Sequence, residues 1–262
     1  VSTTSSSSAN GPLWGWAARD WAEIQEQFAR PVYQAAFERV LTPGLRYLDA
    51  GCGAGLAAQM AAERGAQVWG LDASENLLAI ARERVPAGEF RGGELEALPY
   101  PDDFFDVVTG FNSFQFAANP TRALAEARRV ARPGARVVIV TWGDPEGMPA
   151  TALVTCLKEL MPPQPAGAPG PFALSDEAKL RDLAAAAGLT PEEAFDTPVP
   201  WSYKDLATAL RGLTSTGVAA VAVAHAGRAE VEAAYTRALE PFRRSDGGYE
   251  IGATFRCWIT RA

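Results

Sequence analysis

Asp49, Gly51, Gly53 and Gly55 stand close together in Tyr47-Leu48-Asp49-Ala50-Gly51-Cys52-Gly53-Ala54-Gly55. Glycines at this spacing let a backbone turn tightly and approach a ligand closely. A helix opening behind the turn aims free N–H groups at that ligand and favours an anionic group there. Asp49, two residues before the first glycine, adds a carboxylate that suits a cationic amino group on the same molecule. Asp72 follows about 20 residues after the first glycine, where a βαβ unit presents an acid to ribose hydroxyls. A carboxylate can accept from both vicinal hydroxyls. The alternative for Asp72 is a cap on the helix beginning near Ser74.

A dinucleotide does not fit this turn. Its fingerprint needs Gly or Ala at the position held by Leu56, and Gly55 comes one residue early. Asp49 would also repel a pyrophosphate. S-adenosylmethionine, with its amino group, carboxylate and adenosine, meets these objections. Leu48-Asp49-Ala50-Gly51-Cys52-Gly53-Ala54-Gly55 resembles the first motif of class I S-adenosylmethionine-dependent methyltransferases.

Gly93-Glu94-Leu95-Glu96-Ala97-Leu98-Pro99 and the following Phe104-Phe105-Asp106-Val107-Val108 resemble the adenine-binding stretch and fourth strand of the ubiquinone/menaquinone-type members. Leu124 to Gly134 resembles the same group. The resemblance implies cofactor contacts from Asp49, Ala50, Gly51, Cys52 and Gly53, from Asp72 and Ala73, from Glu94 and Leu95, and from Phe111 and Asn112. Glu94 would accept from the adenine amino group, and the Leu95 N–H would meet the ring nitrogen beside it. S-adenosylhomocysteine would be the product.

Candidates for the transfer step are sparse. Asn112 and Gln115 follow the fourth strand, where ligands of open α/β sheets sit. His225 is the chain's single histidine and a possible base, although a histidine ending an apolar helix is more often structural. A sulfonium methyl needs chiefly an aligned nucleophile, so a catalytic dyad is not required. Trp14, Trp16, Phe111, Phe114, Phe116, Trp142 and Trp201 are placed to border the cavity, which points to a small, partly apolar acceptor.

These residues need an alternating α/β framework to hold them. Strands are expected at 46–50, 67–71, 89–91, 105–110 and 137–142, with a sixth at 192–201 and a last at 249–260. Helices are expected between them. The expected fold is α/β: a Rossmann-like, seven-stranded mixed sheet with helices on both faces and, by resemblance, an antiparallel last strand. Residues 11–42 form a tryptophan-bearing helical segment, split at Pro31, that could pack on the sheet or act as a lid. Residues 43–262 make the catalytic domain, with a helical insertion at 203–245 whose Gly217–His225 stretch is apolar all round and expected to be buried. Ser175 is the expected cap of a helix reaching Ala187, and a helix is expected around 151–160. The proline-rich 161–171 segment is a loop or a lid, and 1–10 a disordered tail.

The chain has 262 residues, 48% hydrophobic, with net charge -7 and pI about 4.9. An acidic surface repels phosphate backbones, which argues against a nucleic-acid partner. No apolar run approaches the roughly 20 residues of a membrane span. Cys52, Cys156 and Cys257 have no disulfide or metal spacing, as expected of a cytoplasmic protein without a metal site. The leading expectation is methyl transfer to a small molecule. The alternatives are C-methylation of a quinone precursor and a module that binds S-adenosylmethionine without turnover.

Overall fold

The computed structural model describes residues 6–163 and 170–262. Five parallel strands, β1 (Arg46–Ala50), β2 (Gln67–Asp72), β3 (Glu89–Gly92), β4 (Phe105–Phe111) and β5 (Ala131–Trp142), form most of one sheet. It is completed by β6 (Thr190–Pro198) and β9 (Thr254–Arg261) in the order β3-β2-β1-β4-β5-β9-β6, with β9 antiparallel to both its neighbours. The expected seven-stranded mixed sheet is present. Two short strands, β7 (Trp201–Tyr203) and β8 (Tyr249–Ile251), pair separately.

The two-residue period of the strands divides the core between two faces. Tyr47, Val107 and Val138 pack with α3 (Arg30–Val40) and α4 (Leu56–Glu63). Their neighbours Leu48, Val108 and Val137 pack on the other side with α6 (Pro120–Val130) and α8 (Glu177–Ala186). The β-branched run of β5 is buried throughout, as a central parallel strand requires.

A buried ion pair joins the N-terminal segment to this framework. The segment contains two helices, Ser6–Gly15 and Ala18–Asp20, then a π turn at Trp21–Gln25 and a 3-10 turn at Glu26–Ala29. Glu26 is 3% exposed. Arg84, ending α5 (Glu75–Arg84), donates to the Glu26 carboxylate at 2.5 Å, to the Ala54 carbonyl at 2.9 Å and to the Ala22 carbonyl at 2.8 Å. One guanidinium thus ties together the N-terminal segment, the glycine turn and α5. Burial raises the Glu26 carboxyl above its ordinary range, against the opposing pull of Arg84.

Several local expectations change. A helix begins at Ser6, so residues 6–10 are not a disordered tail; residues 1–5 lie outside the described residues. Pro31 sits in the first turn of α3, where a missing N–H is harmless, rather than splitting one long helix in two. The expected 192–201 strand divides: β6 stops at Pro198, and Trp201 starts the separate ribbon. Prolines 198 and 200 cannot donate to a ladder, so pairing lapses there. The last strand divides likewise, with Gly252 and Ala253 between β8 and β9. The 151–160 helix is interrupted, as a helix at Thr151–Thr155 and a 3-10 turn at Lys158–Leu160. Asp176, not Ser175, caps α8, its Oδ1 accepting from the Lys179 N–H at 3.1 Å. Most of the 161–171 loop, residues 164–169, lies outside the described residues. The insertion forms three helices, Leu206–Thr214, Gly217–Ala226 and Arg228–Leu239. The middle one buries Ala219 and Ala222 but exposes Ala224 and His225, so it is not buried all round. No single helix among the described residues is long and apolar enough to cross a membrane.

Two substitutions probe this framework. Gly55 has φ +81°, and a Cβ there would lie 2.7 Å from the Ala81 Cβ and 2.9 Å from its Cα. Gly55→Ala is expected to destabilise by about 2–4 kcal/mol, read as a lowered urea midpoint. Arg84→Met leaves Glu26 buried without its partner and is expected to cost about 3–5 kcal/mol in the same assay, with Glu26→Leu on that background restoring most of the loss.

Candidate active site

A cavity opens beyond the C-terminal ends of the parallel strands, the side where open α/β sheets bind ligands. It encloses about 1470 Å³ of empty space, its open mouth included. Gly51 and Gly53 from the turn after β1, Asp72 and Ala73 from the end of β2, and Glu94 and Leu95 from beyond β3 line one end.

The glycine turn is braced from within. The N–H groups of Gly51 and Cys52 both donate to the Leu71 carbonyl, at 2.7 and 2.9 Å. The Gly53 N–H donates to Asp72 Oδ2 at 2.9 Å, and the Ser74 N–H to Oδ1 at 2.8 Å. A carboxylate oxygen has a second lone pair, so both oxygens can still accept from ribose hydroxyls. Ser74 itself caps α5, which removes the alternative role for Asp72. The expected anion site at the start of α4 is changed. There the Leu56 N–H faces Glu26 Oε1 at 3.5 Å, so the protein's own carboxylate sits at this helix start.

Asp49, Ala50 and Cys52 lie beneath the lining, not in it. Asp49 is 1% exposed, and its Oδ1 accepts from the Thr109 hydroxyl at 3.1 Å. Burial pushes its carboxyl up to about 7; Thr109 opposes this and the charges of Glu26 and Asp72 add to it. The Ala50 carbonyl accepts from Ser113 Oγ at 2.6 Å, locking the loop after β4 onto the turn. Cys52 is buried, and burial raises its thiol well above the ordinary range.

The N-terminal segment supplies the roof. Trp14 and Trp21 meet edge to face, with centroids 5.1 Å apart, and both line the cavity. A Cβ on Gly53 would lie 3.4 Å from Glu26 Oε1 and 3.6 Å from Trp21 Nε1, so any larger side chain would fill this cradle. The Trp21 indole N–H is buried without a partner. Buried donors are normally satisfied, and this one, on a residue of the cavity lining, is available to an acceptor on a ligand. Glu26, Asp72 and Glu94 are the charged side chains of the lining, all acidic, and no described Lys, Arg or His lines the cavity. The residues therefore fit a molecule with cationic groups, vicinal hydroxyls and one carboxylate needing a neutral donor.

The opposite end is aromatic. Tyr33 and Phe111 pack with ring centroids 4.4 Å apart. Trp142 meets Trp201 at 5.7 Å and Phe255 at 5.0 Å. All five line the cavity. Asn112 and Gln115 line it too, from the loop after β4. Asn112 takes φ +52°, a conformation that asparagine tolerates better than most residues, and its Oδ1 accepts from Gln115 Nε2 at 3.2 Å.

Three sequence candidates are elsewhere. His225 is exposed on the last turn of its helix and does not reach the cavity, which removes it as a base. Phe114 is buried beneath, against Gly110. Trp16 lies outside the lining, its ring under the Arg228 guanidinium. Sequence reasoning passed over Glu26, Arg84, Tyr33 and Tyr235. The one signal for Glu26 was an acid within an apolar stripe; its partner is 58 residues away.

Residues 48–139 match the family model described as a methyltransferase domain. A stretch of 113 residues is 35% identical to a demethylmenaquinone methyltransferase from Renibacterium salmoninarum, covering 43% of this chain and 48% of that protein. A stretch of 99 residues is 38% identical to a malonyl-[acyl-carrier protein] O-methyltransferase from Serratia marcescens, covering 38% of this chain and 39% of that protein. The chain thus spans about half or less of these relatives' length. Among solved structures, the cyclase SpnF superposes with a TM-score of 0.61 over 97% of this chain and 92% of its own, at 21% identity, a likeness of fold. Residues 48–139 thus match a methyltransferase domain, set in a strand order that fits the fold of class I S-adenosylmethionine-dependent methyltransferases.

Proposed function

We propose that this chain transfers the methyl group of S-adenosylmethionine to a small, largely apolar acceptor, with the N-terminal segment to residue 42 as a lid. The observation that carries this reading is one cavity with two unlike ends, acidic beside the glycine turn and aromatic beyond β4 and β5. In the strand order β2-β1-β4-β5, three spacings separate the two ends, about 14 Å.

S-adenosylmethionine supplies an electrophilic methyl on a sulfonium with a neutral thioether as leaving group. Asp72 accepts from the ribose hydroxyls, and Glu94 with the Leu95 N–H reads the adenine edge. Trp21 Nε1 donates to the carboxylate, a role that no basic side chain of the lining can take. Asp49, under the turn, supplies negative potential for the cationic groups; Ala50, Cys52 and Ala73 contribute backbone. Asn112 and Gln115 stand where the two ends meet. Holding an acceptor in line can supply on the order of 7 kcal/mol or more of the barrier reduction. The roofing tryptophans exclude water.

The family match ends at residue 139, before Trp142, Leu153, Trp201 and Tyr235, which line the aromatic end. The quinone and malonyl names of the relatives therefore do not choose this chain's acceptor.

Calorimetric titration with S-adenosylmethionine and, separately, NAD tests the cofactor. Micromolar binding of the first without the second is expected; binding of NAD alone would overturn the reading. Asp72→Ala is expected to weaken binding at least about tenfold. The pH dependence follows from Asp49. Its folded value, about 7, lies above the ordinary value of 3.8, so the ligand-free fold favours the protonated acid and loses that stability as pH rises from about 4 to 7. A cation above it favours the ionised form. Affinity for S-adenosylmethionine is therefore expected to rise about tenfold between pH ~6 and ~8. Asp49→Asn is expected to flatten that rise, and an unchanged slope would remove Asp49 from the site.

A further inference from the structure

Gln115 presents a second buried polar atom without a partner. The residue is 1% exposed, and its Oε1 has no hydrogen-bond partner, while its Nε2 is engaged by Asn112 Oδ1. An unsatisfied acceptor at this depth is matched to a ligand donor, because leaving it dry costs the full desolvation of a carbonyl.

The surroundings restrict what carries that donor. Beyond Gln115 the walls are aromatic and aliphatic, including Tyr33, Phe111, Trp142, Trp201 and Leu153. Burial raises the phenols of Tyr33 and Tyr235 well above their ordinary value, so both are neutral donors and not bases. The acids of the lining are spoken for elsewhere. Glu26 is paired with Arg84, and Asp72 and Glu94 belong to the strand ends on the far side of β1. Residues 1–5 and 164–169 carry no basic side chain, so they would add no cation to the lining. An anionic acceptor would enter an apolar chamber whose described side chains supply no counter-charge, at a desolvation cost that no protein group there offsets.

We infer that the acceptor is an uncharged, ring-bearing molecule that presents an O–H or N–H to Gln115 Oε1, which makes Gln115 the residue that selects it. This rests on the proposed methyl transfer, and Gln115 is a positioning residue rather than a base. A neutral amide cannot take up the acceptor proton at ordinary pH. Its contribution is to fix the heteroatom that bears the donor.

The test uses the full chain saturated with S-adenosylhomocysteine and three matched probes: 4-propylphenol, 4-propylanisole, which lacks the donor, and 4-propylbenzoate, which is an anion. Calorimetry is expected to give 4-propylphenol about a tenfold advantage over 4-propylanisole, and no measurable binding of 4-propylbenzoate. Gln115→Leu is expected to abolish the phenol advantage and leave S-adenosylhomocysteine affinity unchanged. Gln115→Met provides a second variant of similar volume should the first prove unstable by its melting temperature. Equal binding of phenol and anisole, tighter binding of the benzoate, or failure of all three to bind would overturn the inference. So would weakened S-adenosylhomocysteine binding in Gln115→Leu, which would assign Oε1 to the cofactor. Failure of S-adenosylhomocysteine to bind the unsubstituted chain would instead overturn the proposed function.

Discussion

The buried contact between Glu26 and Arg84 is the constraint on which the site depends. Arg84 spends its donors on Glu26, Ala54 and Ala22, and Glu26 faces the first N–H of α4. The glycine turn and the segment above it therefore share one geometry. A buried ion pair is a weak source of net stability, because desolvation takes back much of the Coulomb attraction. It is a strong source of position. Trp21 stands above Gly53 because the backbone around it is held by a group that cannot be left unpaired.

That arrangement fixes the electrostatics of the cavity. The start of α4 would ordinarily attract a ligand's anion. Here Glu26 meets that field, and the Trp21 indole N–H is left as an unpartnered neutral donor near Gly53. Asp72 and Glu94 in the lining, with Asp49 beneath it, create negative potential with no basic side chain in the described lining to cancel it, the charge of Glu26 being met by Arg84. The potential favours cationic groups, and S-adenosylmethionine has both a sulfonium and an amino group. The aromatic end, three strand positions away, has no comparable charge.

The glycine-turn end of the cavity was legible in the sequence because each of its parts is local. The turn after β1, the acid ending β2 and the Glu94-Leu95 pair each lie at the end of a strand that its own residues specify, and parallel topology then brings the ends together. Other features depend on partners far along the chain. Glu26 looks like any solvated helix acid until α5 is packed beside it. His225 ends a helix so apolar that burial was expected, but the helix runs out into solvent. The division of β6 from β7 was visible in Pro198 and Pro200, yet the pairing of β7 with β8, about 50 residues on, was not. The cap at Asp176 in place of Ser175 is a one-residue choice between two good capping types. The aromatic end draws on the insertion and on β5, β7 and β9, which no single motif marks.

A crystal structure of the full chain with S-adenosylhomocysteine bound would test most directly whether the roof and the turn form one cofactor site. The expected result places the ribose hydroxyls on Asp72, the adenine beside Glu94 and Leu95, and the carboxylate within about 3 Å of Trp21 Nε1, with the Glu26–Arg84 contact intact. A ligand lying away from the glycine turn, or Trp21 swung out and the Glu26–Arg84 contact broken, would contradict it.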